Sequence, residues 1–254
     1  MKALITGASS GIGRDMARVL AGEGWELILI ARRLDRLEAL AAELPGASVR
    51  VIAADLSKQE ECLRLYHETA GEGIDLLINN AGFGHFGRFD ETGLERDLEL
   101  ISTNITAVHI LTKLFLRDFV KRDSGRILNV ASSAGFMAGP MLSGYYASKN
   151  YVVRLTEAIY EELRRKKSRV TVSLLCPGPV NTEFNRVAGV RFALRGLSSE
   201  YVARCAVRGT LRGKLVIQPG IMMKLARFGG RFLPEKAMLR ISYHIQKSKE
   251  RPGS

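Results

Sequence analysis

The chain has 254 residues, 46 % of them hydrophobic, and a formal net charge of +12. This length is typical of one large α/β domain with a sizeable core, and no apolar run approaches the about 18 residues needed to cross a bilayer. Cys62, Cys176 and Cys205 are widely spaced, which argues against a disulfide framework or a structural metal site and favours a reducing compartment. The first residues already have the pattern of a strand, so we predict no secretory signal and expect a cytoplasmic protein.

Short apolar runs alternate with helix-like segments along the chain. The runs predicted to form strands are Ala3–Ile5, Glu26–Ala31, Val49–Ala53, Leu76–Ile78, Arg126–Ala131, Val170–Leu175 and Lys214–Ile217. The segments predicted to form helices include Gly13–Gly22, Asp35–Leu44, Lys58–Ala70, Leu94–Arg122 and Ala147–Lys166. This alternation predicts a parallel sheet of about seven strands with helices on both faces. Without internal repeats or linker-like segments, residues 1–254 are predicted to form a single Rossmann-type, doubly wound α/β domain.

A glycine-rich turn joins the first predicted strand to the first predicted helix. Its residues are Gly7, Ser9, Ser10, Gly11, Ile12 and Gly13. Glycines allow a sharp turn and the close approach of a pyrophosphate, and a helix N-terminus offers N–H groups and a partial positive charge. The position after a strand and before a helix favours a dinucleotide-binding turn over a purely structural one.

The end of the second predicted strand bears on the choice of dinucleotide. An acidic residue there would bind a ribose 2′-hydroxyl and select NAD, but Ala31 occupies this place, and Arg32 and Arg33 follow. Arginine pairs with a 2′-phosphate through charge-assisted hydrogen bonds. We therefore predict NADP(H), with Arg32 as the first candidate ligand and Arg33 as the second. The alternative is two solvated arginines at the start of a helix.

Three side chains farther along the chain indicate proton-transfer chemistry. Tyr145 and Lys149 stand four residues apart, and Tyr145 follows Ser132 by thirteen residues; the adjacent Tyr146 lacks this spacing. Positions i and i+4 share a helix face, so the lysine cation is expected to lower the tyrosine pKa from its usual value of about 10. Such a phenol serves as a general acid or base, although Tyr-x-x-x-Lys alone also fits an ordinary surface pair.

Residues 178–212 fall between the last two predicted strands and are interpreted as an inserted substrate-binding lobe. His85, in an earlier loop, either borders the same pocket or has no role. The apolar residues of the lobe would line a pocket, which we favour, or dock the segment on the core; they are Phe184, Val187, Val190, Phe192, Leu194 and Leu197.

The excess positive charge is confined to the C-terminal part of the chain. Residues 1–185 carry 23 basic and 23 acidic residues, whereas residues 186–254 carry 15 basic and 3 acidic ones. Residues 219–254 add apolar residues at helical spacing, which predicts a basic amphipathic extension. Such a helix contacts a membrane surface or packs on its own domain or on a partner subunit. No nucleic-acid motif accompanies the charge, so we predict no nucleic-acid partner.

Taken together, these motifs closely resemble the short-chain dehydrogenase/reductase family over residues 1–185. The resemblance is carried, in matching order and spacing, by Thr6 to Gly13, Asp55-Leu56, Asn79 to Gly82, Asn104, Ser132, Tyr145, Lys149 and Pro177 to Thr182. It implies further dinucleotide contacts from Asp55, Leu56, Asn80, Ala81, Gly82, Tyr145, Lys149, Pro177, Gly178, Val180 and Thr182. Asp55 could instead cap a helix, and Asn79-Asn80 could simply form a turn.

The resemblance also implies a mechanism. Hydride passes between the nicotinamide and a carbonyl carbon while Tyr145 exchanges the proton. Lys149 is expected to lower the tyrosine pKa and to bind the nicotinamide ribose, and Ser132 to hydrogen-bond the carbonyl oxygen. Asn104 is expected to hold a water that feeds protons toward Lys149, although a mid-helix asparagine could also be merely exposed.

These expectations predict an NADP(H)-dependent carbonyl reductase or alcohol dehydrogenase. The apolar lobe and basic extension favour a lipid-like, steroid-like or acyl-thioester substrate over a small polyol. The family resemblance implies a homodimer or homotetramer that assembles through long helices such as Leu94–Arg122 and Ala147–Lys166. The alternative is a non-catalytic dinucleotide sensor or scaffold on the same fold, which would not require the complete set of Ser132, Tyr145 and Lys149.

Overall fold

The computed structural model describes residues 1–189, 196–230 and 233–247. The strands are β1 Lys2–Thr6, β2 Glu26–Ala31, β3 Val49–Ala53, β4 Leu76–Asn79, β5 Arg126–Val130, β6 Thr171–Leu175, β7 Val180–Asn181, β8 Leu197–Ser198 and β9 Val216–Ile217. The α-helices are α1 Gly11–Gly22, α2 Leu34–Ala42, α3 Gln59–Thr69, α4 Leu94–Ile101, α5 Ala107–Lys121, α6 Ser143–Arg165, α7 Phe184–Val187, α8 Ser199–Leu211, α9 Ile221–Gly230 and α10 Glu235–Lys247.

Seven of the described strands form one parallel sheet in the order β3-β2-β1-β4-β5-β6-β9, and β7 and β8 form a separate short pair. The chain winds outward on one side of β1 and then crosses to β4 on its other side. In doubly wound sheets, ligands bind at this switch point, beyond the carboxyl ends of the strands. The predicted fold class is confirmed.

Most boundaries differ from the predicted ones by one or two residues, and three differences have a structural cause or consequence. The helix predicted over Leu94–Arg122 is interrupted by a π-helical segment, Ser102–Thr106. Helix α6 starts four residues before the predicted Ala147, so Tyr145 lies in its first turn. Strand β9 is shorter than predicted because the Lys214 N–H bonds back to the Gly209 carbonyl oxygen at the end of α8, at 3.0 Å.

Different helices cover the two faces of the sheet, because neighbouring residues of a strand point to opposite faces. On β2, Leu27 and Leu29 join the buried cluster formed with α1, α2 and α8, whereas Ile28 and Ile30 join the cluster formed with α3, α5 and α6. All four side chains are at most 1 % exposed. A strand buried on both faces requires a continuous apolar sequence, which explains why β2 shows no polar alternation.

The first part of the predicted lobe and the C-terminal extension contribute residues to the cavity at the carboxyl edge of the sheet. The last part of the predicted lobe instead forms α8, which covers one face of the sheet. Helix α10 packs on the domain through its two buried polar residues, with Ser242 Oγ donating to the Ala138 carbonyl oxygen at 2.8 Å and Gln246 donating to the Tyr146 hydroxyl. The structure describes no helix that is both long and apolar enough to cross a membrane. Of the apolar residues predicted to line the lobe, three lie outside the described residues: Val190, Phe192 and Leu194.

Buried side-chain hydrogen bonds connect the sheet to the two helices beneath the switch point. Asn79 Nδ2 on β4 donates to Asn129 Oδ1 on β5 at 2.9 Å and to Thr112 Oγ1 on α5 at 3.0 Å. Asn129 Nδ2 donates to Thr156 Oγ1 on α6 at 2.9 Å. All four side chains are buried, so these bonds fix the position of α5 and α6 relative to the strands.

We expect Asn129→Ala to lower the free energy of unfolding by about 1–3 kcal/mol, because Asn79 and Thr156 each lose a buried partner. Urea unfolding monitored by circular dichroism measures this loss. The matched control is Asn181→Ala, since the exposed Asn181 amide donates to the Gly196 carbonyl oxygen, and the loss of this exposed bond is expected to cost less than about 0.5 kcal/mol. Equal losses in both variants would contradict a structural role for the buried network.

Candidate active site

The glycine-rich turn between β1 and α1 is built for close backbone approach. Gly7 and Gly11 have φ angles of +66° and +56°, a conformation that favours glycine. A Cβ atom on Gly7 would lie 2.8 Å from the Ala81 Cα atom, and one on Gly13 would lie 2.3 Å from Asn80 Nδ2. The glycines therefore let the turn pack closely against the loop after β4, and the turn leads into the N-terminus of α1, where helix N–H groups suit a pyrophosphate.

The loop after β4 holds this turn in place. Asn80 Nδ2 donates to the carbonyl oxygens of Thr6 and Gly7 at 3.0 and 3.1 Å. In return, Thr6 Oγ1 accepts hydrogen bonds from the backbone N–H groups of Asn80 and Ala81, both at 3.0 Å. The asparagine predicted as a cofactor contact thus also positions the glycine turn.

The carboxyl edge of the sheet borders a cavity of about 990 Å³. With the exceptions of Gly13 and Asn104, the predicted site residues contribute to its walls. Gly13 packs against Asn80 beneath the turn, where a side chain would not fit. The predicted residues that line the cavity are Gly7, Ser9, Ser10, Gly11, Ile12, Arg32, Arg33, Asp55, Leu56, Asn80, Ala81, Gly82, Ser132, Tyr145, Lys149, Pro177, Gly178, Val180 and Thr182.

Arg32 and Arg33 occupy different positions in this cavity. Arg33 Nη2 donates to the Ser9 and Ser10 hydroxyl oxygens at 3.1 and 3.3 Å, so this side chain reaches the glycine turn. Arg32, the first candidate from the sequence, is 58 % exposed at its side chain and pairs with Glu99 at 2.9 Å. The structure thus places the second candidate nearer to the phosphate-binding turn.

Asp55 does not cap a helix, which was the alternative to a cofactor contact. Helix α3 begins at Gln59 with Lys58 in the capping position. The Asp55 carboxylate instead accepts hydrogen bonds from the Ser57 N–H at 3.1 Å and the Ser57 hydroxyl at 2.8 Å. These bonds shape the loop after β3 where it lines the cavity.

Ser132, Tyr145 and Lys149 come together on one wall of the cavity, as the sequence predicts. The Tyr145 side chain hydrogen-bonds Ser132. The Lys149 ammonium lies 5.8 Å from the centroid of the Tyr145 ring and donates to the Val130 carbonyl oxygen at 2.9 Å. Tyr145 and Lys149 share one face of α6, and β5 supplies the lysine's backbone partner.

Burial changes the pKa values of both groups. It raises the pKa of Tyr145 to about 12, and the Ser132 hydrogen bond offsets only part of this rise. Burial also lowers the pKa of Lys149 to about 8. The lowered tyrosine pKa predicted from the sequence is therefore wrong for this structure, because desolvation of the phenolate outweighs the effect of a nearby cation that is itself desolvated.

Asn104 lies at the π-helical segment between α4 and α5 and is fully buried, so the interpretation as an exposed residue is wrong. Its Oδ1 accepts from the Phe83 N–H at 3.1 Å, and its Nδ2 donates to the Phe83 carbonyl oxygen at 2.9 Å and to Ser148 Oγ at 3.1 Å. Ser148 Oγ in turn donates to the Tyr145 carbonyl oxygen at 2.7 Å. Asn104 thereby links the loop after β4 to the first turn of α6, and π-helical segments of this kind are frequent at functional sites.

Several contacts in the site were not predicted from the sequence. The Phe184 ring lies 5.2 Å from the Tyr145 ring, centroid to centroid. The Tyr146 hydroxyl, excluded from proton transfer by its spacing, accepts a hydrogen bond from Gln246 on α10. His85 pairs with Asp97 at 3.2 Å and is not among the residues that line the cavity.

Three comparisons with known proteins agree with this geometry. The family model for short chain dehydrogenase matches residues 1–189. Human 17-beta-hydroxysteroid dehydrogenase type 3 is 35 % identical over 193 residues, which cover 72 % of this chain and 60 % of the human protein. A short-chain dehydrogenase from Sphingobium yanoikuyae in complex with NADPH is 31 % identical with a TM-score of 0.83, over 91 % of this chain and 92 % of that chain.

A third protein was solved with the other dinucleotide. A short-chain dehydrogenase/reductase from Burkholderia phymatum in complex with NAD is 26 % identical with a TM-score of 0.81, over 89 % of this chain and 91 % of that chain. The doubly wound sheet and glycine turn define the class, a Rossmann-type nucleotide-binding protein. Within that class, the chain belongs to the short-chain dehydrogenase family of oxidoreductases.

The buried lysine predicts a pH dependence of stability. Lysine in an unfolded chain has a pKa of about 10.4, whereas Lys149 in the folded protein titrates at about 8. Below pH 8 both states are protonated and the cost of burying the charge is fully present. Between about pH 8 and pH 10 the unfolded chain binds more protons, so the contribution of Lys149 to stability rises with pH.

We therefore expect the free energy of unfolding of the wild type, relative to Lys149→Met, to increase by about 1–3 kcal/mol between about pH 8 and pH 10. Urea unfolding at a series of pH values measures both proteins in parallel. Tyr145, with its pKa raised to about 12, stays protonated in the folded protein over this range, and groups distant from Lys149 cancel in the difference. Parallel pH profiles would contradict the lowered lysine pKa.

Proposed function

We propose that this protein is an NADP(H)-dependent oxidoreductase that interconverts a carbonyl group and an alcohol. The observation that supports this proposal best is the grouping of Ser132, Tyr145 and Lys149 on one wall of a cavity that also includes the glycine turn. The proton-transfer groups and the glycine turn proposed to bind the dinucleotide thus line the same cavity, as hydride transfer coupled to proton transfer requires.

The residues of this cavity fit a nicotinamide dinucleotide. The turn that contains Gly7 and Gly11 lines the cavity at the N-terminus of α1 and would hold the pyrophosphate, while Gly13 lets the turn pack against Asn80. Asp55 and Leu56 would contact the adenine, and Lys149 the nicotinamide ribose. The remaining contacts are assigned to Ser9, Ser10, Ile12, Asn80, Ala81, Gly82, Tyr145, Pro177, Gly178, Val180 and Thr182, of which all line the cavity.

When bound, the nicotinamide supplies a hydride to a carbonyl carbon or accepts one from an alcohol. Tyr145 holds the proton that the alkoxide oxygen takes up during reduction, and its pKa of about 12 keeps it protonated at neutral pH. Ser132 donates a hydrogen bond to the same oxygen as negative charge develops there. Lys149 stabilises the tyrosinate that remains, and Asn104 keeps the first turn of α6 in position through Ser148.

The preference for NADP(H) rests on Arg32 and Arg33. Both residues line the cavity beyond β2, and the Arg33 guanidinium reaches the glycine turn through Ser9 and Ser10. Guanidinium groups are suited to a 2′-phosphate by charge and by geometry. Since the similar structures named above contain NADPH in one case and NAD in the other, the arginines of this chain are the basis of the assignment.

An apolar substrate fits the remaining walls of the cavity. The C-terminal extension contributes Met223, Leu233, Met238, Leu239 and Ile245 to its lining. Burial of apolar surface drives binding by about 25 cal/mol per Å², so these walls favour a lipid-like, steroid-like or acyl-thioester carbonyl over a small polyol. The similarity to a human hydroxysteroid dehydrogenase supports the same substrate class.

We propose that the protein forms a homodimer or homotetramer and that it is cytoplasmic. Helix α4 exposes three large apolar residues at helical spacing, Leu94, Leu98 and Ile101, which are 71 %, 52 % and 42 % exposed. Residues three and four apart share a helix face, so they form one apolar strip. A second copy of the chain would bury this strip at a subunit interface.

Wild-type protein is expected to oxidise NADPH when mixed with apolar ketones, measured as the loss of absorbance of the reduced nicotinamide. Tyr145→Phe is expected to lower turnover by about 10²–10⁴-fold, because the proton donor is removed. NADPH is still expected to bind, because Tyr145 is one of many residues that line the dinucleotide site. The matched control is Tyr151→Phe on the same helix, where the tyrosine pairs with His109 on the protein surface.

Wild-type turnover by Tyr145→Phe would refute the assigned proton donor. Tight NADPH binding without turnover on any ketone of the panel would favour the dinucleotide sensor. A clear preference for small polyols would contradict an apolar substrate.

We further propose that the C-terminal extension contacts an anionic membrane surface at the periphery. Leu225 on α9 and Ile241 on α10 are 65 % and 44 % exposed, and Lys224, Lys236 and Arg240 lie on the same two helices. Exposed apolar side chains beside cations are typical of helices that lie in the interface of anionic lipids.

In a flotation assay, the protein is expected to rise with vesicles of phosphatidylcholine and phosphatidylglycerol but not with phosphatidylcholine alone. The double variant Leu225→Ser and Ile241→Ser is expected to remain at the bottom of the gradient, because the apolar contacts are lost. Leu63→Ser, at an exposed leucine of α3, is the control and should float like wild type. Absence of flotation, or equal flotation with neutral vesicles, would contradict the membrane contact.

A further inference from the structure

The arginines that follow β2 are paired with carboxylates. Arg32 Nη1 donates to Glu99 Oε1 at 2.9 Å. Arg33 Nη1 donates to Glu183 Oε2 at 3.2 Å, and Arg36 Nη1 donates to both Glu183 carboxylate oxygens at 2.9 Å. The positive charge expected to bind a 2′-phosphate is therefore partly neutralised within the protein itself.

Glu183 shares Arg33 with the phosphate-binding turn. While Arg33 Nη1 donates to Glu183, Nη2 of the same guanidinium donates to the hydroxyl oxygens of Ser9 and Ser10. The Glu183 side chain lines the cavity. A hydrogen bond from Arg36 lowers the pKa of Glu183, so the carboxylate is ionised at neutral pH. A negative charge thus lies in the part of the cavity that is assigned to the 2′-phosphate, beside Arg33.

A carboxylate and a phosphate make similar demands on a guanidinium group. Both accept paired hydrogen bonds from arginine, so each contact of Arg33 with Glu183 is unavailable to a phosphate. Like charges at short distance also repel, and each disfavours the ionised form of the other. NADH carries no 2′-phosphate and is free of both effects. Glu183 should therefore weaken the binding of NADPH and leave the binding of NADH unchanged.

The same segment reaches the proton-transfer group. Phe184 follows Glu183 directly and begins α7, and its ring lies 5.2 Å from the Tyr145 ring. A Cβ atom on Gly84 would lie 3.0 Å from the tip of this ring, so the ring is closely confined on that side as well. The ion pairs of Glu183 thereby tether the start of α7 to the cofactor corner.

Building on the dinucleotide site assigned above, we propose that Glu183 is a specificity-determining residue. Its carboxylate is an internal competitor for the 2′-phosphate: it occupies Arg33 and Arg36, weakens the binding of NADPH and leaves the binding of NADH almost unaffected. The chain consequently discriminates less between the two dinucleotides than its arginines alone would allow.

The test is Glu183→Gln, which removes the charge and keeps the shape of the side chain. Titration of the purified protein with NADPH and with NADH, followed by nucleotide fluorescence, gives both dissociation constants without any turnover. We expect NADPH to bind about three- to tenfold more tightly than to wild type, the scale of one partly exposed ion pair, and NADH to change less than twofold. A higher salt concentration should reduce this increase in NADPH affinity. Salt screens both the pairing of Glu183 with arginine and its repulsion of the phosphate.

Two further variants complete the design. Glu43→Gln removes a carboxylate that is 52 % exposed and also pairs with an arginine, Arg18, at 2.5 Å, but Glu43 is not among the cavity-lining residues, so neither dissociation constant should change. Glu183→Ala is a second route to the same loss of charge and should shift the ratio in the same direction. When Arg33 is also replaced by alanine, Glu183→Gln should increase NADPH affinity by a smaller factor. The reason is that the guanidinium for which Glu183 and the phosphate compete is absent.

An unchanged ratio of the two dissociation constants in both folded Glu183 variants would overturn the inference, and so would weaker NADPH binding. Either result is compatible with the proposed function as long as wild type binds NADPH and reduces ketones. Failure of wild type to bind either dinucleotide would overturn the proposed function and the inference together. Folding of each variant is verified by its thermal unfolding curve.

Discussion

The requirement that buried polar groups be satisfied is the constraint on which the rest of the site depends. The fully buried Asn104 side chain forms hydrogen bonds with the Phe83 backbone and the Ser148 hydroxyl. Asn104 lies in a π-helical segment between α4 and α5. Through Ser148 the same bonds reach the backbone of Tyr145. A continuous α-helix over this stretch would present a different side-chain register to the loop after β4, so the irregularity is part of how the wall of the cavity is built.

Burial is also what makes the two ionisable groups of that wall unusual. The pKa of Tyr145 rises and that of Lys149 falls for one reason, which is that each charged form loses water. The free energy of folding bears a cost, because the buried Lys149 ammonium loses its hydration and its hydrogen bond to the Val130 carbonyl oxygen replaces only part of that hydration. In chemical terms it leaves a protonated phenol beside an amine whose charge changes near neutral pH. Perturbed pKa values of this kind cluster at functional sites.

The net charge of the chain does not describe the charge at the proposed cofactor site. The chain carries +12 overall, yet Arg32 and Arg33 are paired with Glu99 and Glu183 respectively. The excess resides in the C-terminal part, beside exposed apolar side chains of α9 and α10. The proposed attraction to an anionic surface and the proposed recognition of a phosphate therefore involve separate regions of the chain, and each is tested by a separate measurement.

Local pattern predicted the sheet, its helices, the glycine turn and the pairing of Tyr145 with Lys149, because apolar strands, helical spacing and glycine turns are recognisable over a few residues. Most of the other candidate site residues came from the family resemblance. Three properties were decided only by the tertiary structure: the direction of the Tyr145 pKa shift, the burial of Asn104 and the pairing of Arg33 with Glu183. The last joins residues 150 positions apart in the chain. Desolvation and ion pairing depend on which distant groups meet and on how much water remains between them, and neither quantity has a local signature in the sequence.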